Sequence, residues 1–219
     1  MTTGGAVTEL SPVARLHIEK ATDALVDEFE GVHSRETIER IVDASVNQLA
    51  RGAEVEDFLP ALAHRFARER LKALARSERR ETELPDVLFI GLEDSARGQM
   101  AAALLTLRSE GRITAHSAGS SVGAEVDRAV VEVMAELGAD LSEAYAKPLS
   151  PEVVGGADVI VTMGRSVGAV EIPEGARRED WRVGDPTGAP VEEVRRVRDE
   201  IDGRVQALLA KLEADAGER

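Results

Sequence analysis

Through the first third of the chain, apolar residues recur every three or four positions, the period of one buried helix face. Val13, Leu16, Ala21, Leu25 and Phe29 form the first stripe, which opens at Ser11-Pro12 and stops at Gly31. A capping hydroxyl followed by proline at the first helical position is a helix start. Ser34 opens a second stripe of Ile38, Ile41, Val42, Ser45 and Leu49, with Gly52 beyond its end. The third begins near "VEDFLP", where acidic residues suit a helix N-terminus and Pro60 is tolerated in the first turn. Phe58, Leu62, Phe66 and Leu74 mark its inner side. Three amphipathic helices joined by short loops bury one another's stripes, so residues 1–80 are expected to form an all-α three-helix bundle.

The polar stretch "SERRETELP" ends that pattern, and a different one follows over residues 85–214. "DVLFIG", "ITAHSAG" and "ADVIVTMG" read as strands, with a short fourth expected at residues 181–183. Helices are expected over "DSARGQMAAALLTLRSEG", over "GAEVDRAVVEVMAELG", and from Pro190 through "PVEEVRRVRDEIDGRVQALLAKL". Strand–helix alternation implies a parallel sheet with helices on both faces, in an α/β domain. Ligands of such sheets bind beyond the C-terminal ends of the strands. The segment "LEDSARG", between the first strand and its helix, lies in that place.

Composition narrows what this loop serves. Of 219 residues, 43% are hydrophobic and 31% charged, which describes an ordinary globular chain. No apolar run approaches the roughly 18 to 20 residues of a membrane span, so no membrane partner is expected. "MTTGGAVTEL" has neither the basic start nor the apolar centre of a signal peptide, and the expected location is cytoplasmic. A net charge of −14 opposes nucleic-acid binding, which depends on neutralising phosphates. The basic run "RFARERLKALARSERR" is interrupted by Glu69 and Glu78 and reads as a solvated helix face. The chain has no cysteine, which removes disulfides, thiol catalysis and thiolate ligands together. His17, His33, His64 and His116 lack ligand spacing, so neither a metal nor another cofactor is expected.

From residue 86 onward the chain carries "VLFI" followed by "SARGQMAAALL", then "SAGS", "AVVEVMAELGADLS", "KPLSPEVV", "ADVIVTMG", "EDW", "DPTG" and "VRDEI", in that order. In these motifs it resembles the low-molecular-weight protein tyrosine phosphatases, and in particular their arsenate-reductase branch. "VDEFEGVHSRETIERIVDAS" and "FLPALAHRFARERLKAL" resemble the helical extension fused to some of those reductases. The resemblance implies a small parallel sheet of flavodoxin-like type, flanked by helices. It also implies a phosphate loop over Gly91, Leu92, Glu93, Asp94, Ser95, Ala96, Arg97 and Gly98.

What the resemblance implies of chemistry is only partly present. The family's nucleophilic cysteine falls at Gly91, its oxyanion-binding arginine at Arg97, and a hydroxyl that stabilises the thiolate at Gly98. Its leaving-group acid falls at Asp185, ahead of Pro186. The further cysteines of the reductases fall around Arg165 and Ala169. With Gly91 no covalent intermediate forms, and neither Ser95 nor Asp94 has an evident activating partner. The expected roles are therefore modest. Arg97 anchors the loop through carbonyls or Glu93, Asp94 supplies a left-handed turn, and Asp185 is a turn residue. The expected protein is an inactive homologue that works through a partner protein of unknown identity or through self-association. Tight phosphate or arsenate binding is not expected beside Glu93 and Asp94. Two alternatives stand beside it, an enzyme of the parent class with rearranged chemistry and a small-ligand sensing module.

Overall fold

The structure, a computed structural model, describes residues 10–50, 58–79, 85–121, 125–164 and 170–217. The chain divides into two compact units, Met1–Ala75 and Arg76–Arg219.

The first unit is helical. α1 spans Pro12–Glu28, α2 Arg35–Ala50 and α3 Leu59–Arg79, of which the residues from Arg76 on fall in the second unit. Ser11 caps α1, its hydroxyl accepting from Ala14 N at 3.1 Å, and Ser34 accepts from Thr37 N at 3.2 Å at the head of α2. Leu25, Phe29, Ile38, Ile41, Val42 and Leu71 meet in one apolar core. The stripe of α1 is rotated from the expected one. Leu25 and Phe29 are buried as expected, but Val13 and Leu16 are exposed, and Ala14 and Thr22 are buried in their place. Phe58, expected inside, precedes the first residue of α3 and is 68% exposed. A residue outside the helix does not follow the helix's period, which explains that error. Arg70 departs from the expected solvated face as well. It is buried, donates to Ser45 Oγ at 3.0 Å, and lies over the Phe66 ring. Gly52 lies outside the described residues.

The second unit holds a four-stranded parallel sheet in the order β2-β1-β3-β4. The strands are β1 Asp86–Gly91, β2 Thr114–Gly119, β3 Val159–Met163 and β4 Arg177–Trp181. Helices α4 (Arg97–Arg108), α5 (Arg128–Ala135), α6 (Pro151–Gly156) and α7 (Val191–Gly217) flank it. β1 is buried along its whole length, as a central strand covered by helices must be. From β1 the chain passes to β2 on one side and then returns to β3 on the other. That reversal opens a crevice beyond the C-terminal end of β1, where the loop to α4 begins.

Three local readings change. The fourth strand lies at residues 177–181, so that only Trp181 of the expected segment belongs to it. Its sequence, "RREDW", is charged because β4 is an edge strand with alternate residues exposed, and edges are commonly charged. α4 starts at Arg97, which leaves residues 94–96 to the loop. α6, not expected from periodicity, is a single short helix capped by Ser150.

Charged groups tie the helices together at defined points. Hydrogen bonds from Arg195 and Arg198 of α7 hold the Glu136 carboxyl at about 2, just after α5. At the base of β1, burial raises the Asp86 carboxyl above the usual aspartate range, although Arg76 pairs with it at 2.9 Å. Among the described residues no helix is long and apolar enough to cross a membrane.

The two kinds of apolar residue in the bundle are separable by mutation. Ile41→Ala, at a fully buried site, is expected to cost about 2 to 5 kcal/mol in urea unfolding. Phe58→Ala, which removes more carbon from an exposed site, is expected to stay within about 0.5 kcal/mol of the parent. Equal losses from both would contradict this placement.

Candidate functional site

The loop from Gly91 to Gly98 follows the buried β1 and enters α4. Its backbone rests on the segment after β2. Ser120 N donates to Gly91 O at 3.1 Å, Ser121 N to Leu92 O at 2.7 Å, and Asp127 N to Ser95 O at 2.9 Å. The approach is so close that a Cβ added at Gly119 would lie 2.7 Å from the Glu93 carbonyl carbon. Only glycine fits at that crossing.

Asp94 turns the loop. Its φ is +56°, in the left-handed region that the sequence led us to expect of it. Its side chain then goes inward and is wholly buried. One carboxylate oxygen accepts from Gln99 Nε2 at 2.8 Å, Lys147 N at 3.0 Å and Ser117 Oγ at 3.2 Å. Lys147 Nζ lies 3.8 Å away and donates to the same serine hydroxyl at 3.2 Å. A buried carboxylate without such donors would cost several kcal/mol in desolvation. Gly98 belongs to this arrangement, because a Cβ there would meet Asp94 Oδ1 at 3.1 Å. The carboxylate occupies room that a hydroxyl-bearing residue at position 98 would need.

Arg97 is the loop's cation, and one of its two partners is not the one first expected. Nη1 donates to the Val183 carbonyl at 3.1 Å and Nη2 to Asp185 Oδ2 at 2.8 Å. The carbonyl anchor is as expected, but Asp185 takes the place of Glu93. The guanidinium packs against Gly164, where a Cβ would come within 2.9 Å of Nη1. Asp185 has a second attachment, its Oδ1 accepting from Thr187 N and Oγ1 at 3.1 and 2.9 Å. Asp185 is therefore a turn residue and Arg97's counter-ion at once. With Asp185 54% exposed, the pair contributes about 1 kcal/mol of stability or less. Among the described residues Glu93 makes no hydrogen bond or ion pair. Arg165 and Ala169 lie outside the described residues.

A cavity of about 200 Å³ opens in the loop, lined by residues 91–98 with Asp185 and Thr187. A wider hollow of about 330 Å³ between α4 and α7 lacks comparable convergent groups, and its Arg108 is already paired with Asp202. Among the described residues no cluster of three or more metal-ligating side chains occurs.

The pattern of the low molecular weight phosphotyrosine protein phosphatases matches residues 86–218. The chain belongs to that family. A second pattern, the N-terminal domain of protein-tyrosine-phosphatase-like proteins, matches residues 18–75. The thioredoxin-dependent arsenate reductase of Corynebacterium glutamicum is similar along nearly its whole length. It is 33% identical with a TM-score of 0.81, covering 90% of this chain and 97% of that one. The glutaredoxin arsenate reductase of Synechocystis sp. is 30% identical over 129 residues, 58% of this chain and 97% of that protein. A low molecular weight protein tyrosine phosphatase from T. tengcongensis is 27% identical with a TM-score of 0.53, covering 58% of this chain and 99% of that one.

Within this family member, Asp127, Gln99, Ser117 and Lys147 are structural partners of the loop that periodicity did not reveal. Asp127 was the most accessible of them, because Asp ahead of an apolar run is an N-cap signal. It does cap α5, accepting from Ala129 N at 2.8 Å, and its other oxygen accepts from Gly188 N at 3.0 Å.

The two glycines bounding the loop's packing differ in a measurable way. Gly119→Ala is expected to destabilise by about 1 to 3 kcal/mol through forced backbone movement. Gly91→Ala, whose new Cβ would meet only Asp94 N at 3.9 Å, is expected to unfold within about 0.5 kcal/mol of the parent. Denaturant midpoints check both, and a Gly119→Ala protein as stable as the parent would contradict the crossing.

Proposed function

We propose that this chain is a non-catalytic member of its phosphatase and arsenate-reductase family, acting through contact with a protein partner or a second copy of itself. The observation that carries this reading is glycine at position 91, where the family resemblance places the nucleophile, in a chain with no cysteine anywhere. A glycine offers no electron pair for attack on phosphorus or arsenic, and loss of the central member of a catalytic unit costs several orders of magnitude in rate. The names of the similar proteins speak of thioredoxin and glutaredoxin, thiol partners for which this chain has no thiol.

Substitute nucleophiles are poorly placed. The Asp94 carboxylate is wholly buried with one oxygen held by three donors, and Ser95 is buried with its carbonyl bound by Asp127 N. Arg97, the group best suited to fork onto an oxyanion, is bound to Asp185 and Val183. A loop in this state has the shape of the family's site without its reactive atom.

Purified protein is expected to show no hydrolysis of aryl phosphates and no arsenate reduction with any thiol donor, relative to a heat-killed control. Turnover above that control, abolished by Arg97→Ala, would overturn the reading in favour of rearranged chemistry.

A further inference from the structure

Arg97 is the side chain that this loop would present to an oxyanion, and it is held by the chain itself. Two guanidinium nitrogens are engaged, one by the Val183 carbonyl and one by Asp185, and the group lies against the backbone of Gly164. Its side chain is only 12% exposed. The turn that delivers Asp185 is fastened separately. Gly188 N donates to Asp127 Oδ2, while Asp127 N donates to the carbonyl of Ser95 inside the loop. Residues 185–188 are therefore tied to the loop at two points, through Arg97 and through Asp127.

We infer that this double fastening is an autoinhibitory closure, in which Asp185 serves as a built-in counter-ion that keeps Arg97 from external oxyanions. The inference deepens the non-catalytic reading, on which it rests, and concerns binding rather than turnover. It also revises which carboxylate excludes phosphate. Asp94 is wholly buried, with one carboxylate oxygen taken up by Gln99, Ser117 and the backbone amide of Lys147. Asp185 lines the cavity and touches the arginine. An anion entering must displace that carboxylate from Arg97 and then remain beside it, so competition and repulsion act in the same direction. Glu93, partly exposed in the same lining, adds to the repulsion.

The test is titration of inorganic phosphate at low salt into the full chain and three variants, Asp185→Asn, Asp185→Ala and Asp185→Asn combined with Arg97→Ala. Removing the Asp185 charge is expected to tighten phosphate binding at least about tenfold over the parent, a gain lost when Arg97 is also removed. The alanine variant covers the case in which an asparagine amide keeps the turn closed. Melting curves establish that each variant is folded, as the exposure of Asp185 leads one to expect. Folded Asp185→Asn and Asp185→Ala proteins that bind phosphate no better than the parent would overturn the closure, as would a gain that survives loss of Arg97. Either result leaves the non-catalytic reading standing, because that reading fails only on turnover by the unmodified chain.

Discussion

The shape of the loop depends on one buried carboxylate. Asp94 sits at a left-handed turn and sends its side chain beneath the loop, where donors from α4, from β2 and from the segment at Lys147 converge on a single oxygen. The low-dielectric surroundings that make an isolated charge expensive also strengthen each hydrogen bond made to it. The carboxylate therefore fixes the relative positions of three separate stretches of chain. Gly119 and Gly98 are consequences of the same packing, since a side chain at either would collide with the loop backbone or with Asp94 itself.

Because these contacts hold the loop from below, its architecture does not rely on the group that would do chemistry above it. Gly91 ends a fully buried strand, and its added Cβ would touch almost nothing. Loss of a side chain there leaves strand, turn and helix in place. The same independence separates binding from catalysis. Arg97 keeps its position at the first residue of α4 whether or not a nucleophile faces it, and its charge needs a counterpart. Here the counterpart comes from the chain, through a turn that Asp127 secures to Ser95 and Gly188.

Charged residues have a comparable role in both units. Arg70 is enclosed in the helical unit between Ser45 and the Phe66 ring, and Arg198 is enclosed in the second unit, where it bonds the Val133 carbonyl and Glu136. Each belongs to an amphipathic helix whose polar face was expected to be solvated or was not singled out. Long cationic side chains bury their stems readily, so charge alone does not identify the face that meets water.

The sequence by itself determined the classes of element and their order. Helical spacing through the first unit, strand–helix alternation through the second, and the motifs from "VLFI" to "VRDEI" were sufficient for the bundle, the parallel sheet and the family. They are local patterns, set by backbone period and by the residue types that each period buries. The absence of a thiol was equally legible, being a matter of composition. Tertiary structure decided where the charges point. Nothing near Asp94 in the chain says that its carboxylate meets Ser117 and Lys147, and nothing near Arg97 says that its partner is Asp185, 88 positions away. Val13 and Leu16 were misread for the related reason that a stripe gives a helix's period but not its rotation against its neighbours. Side-chain direction is settled by which donors and surfaces the fold brings within reach, and those come from distant parts of the chain.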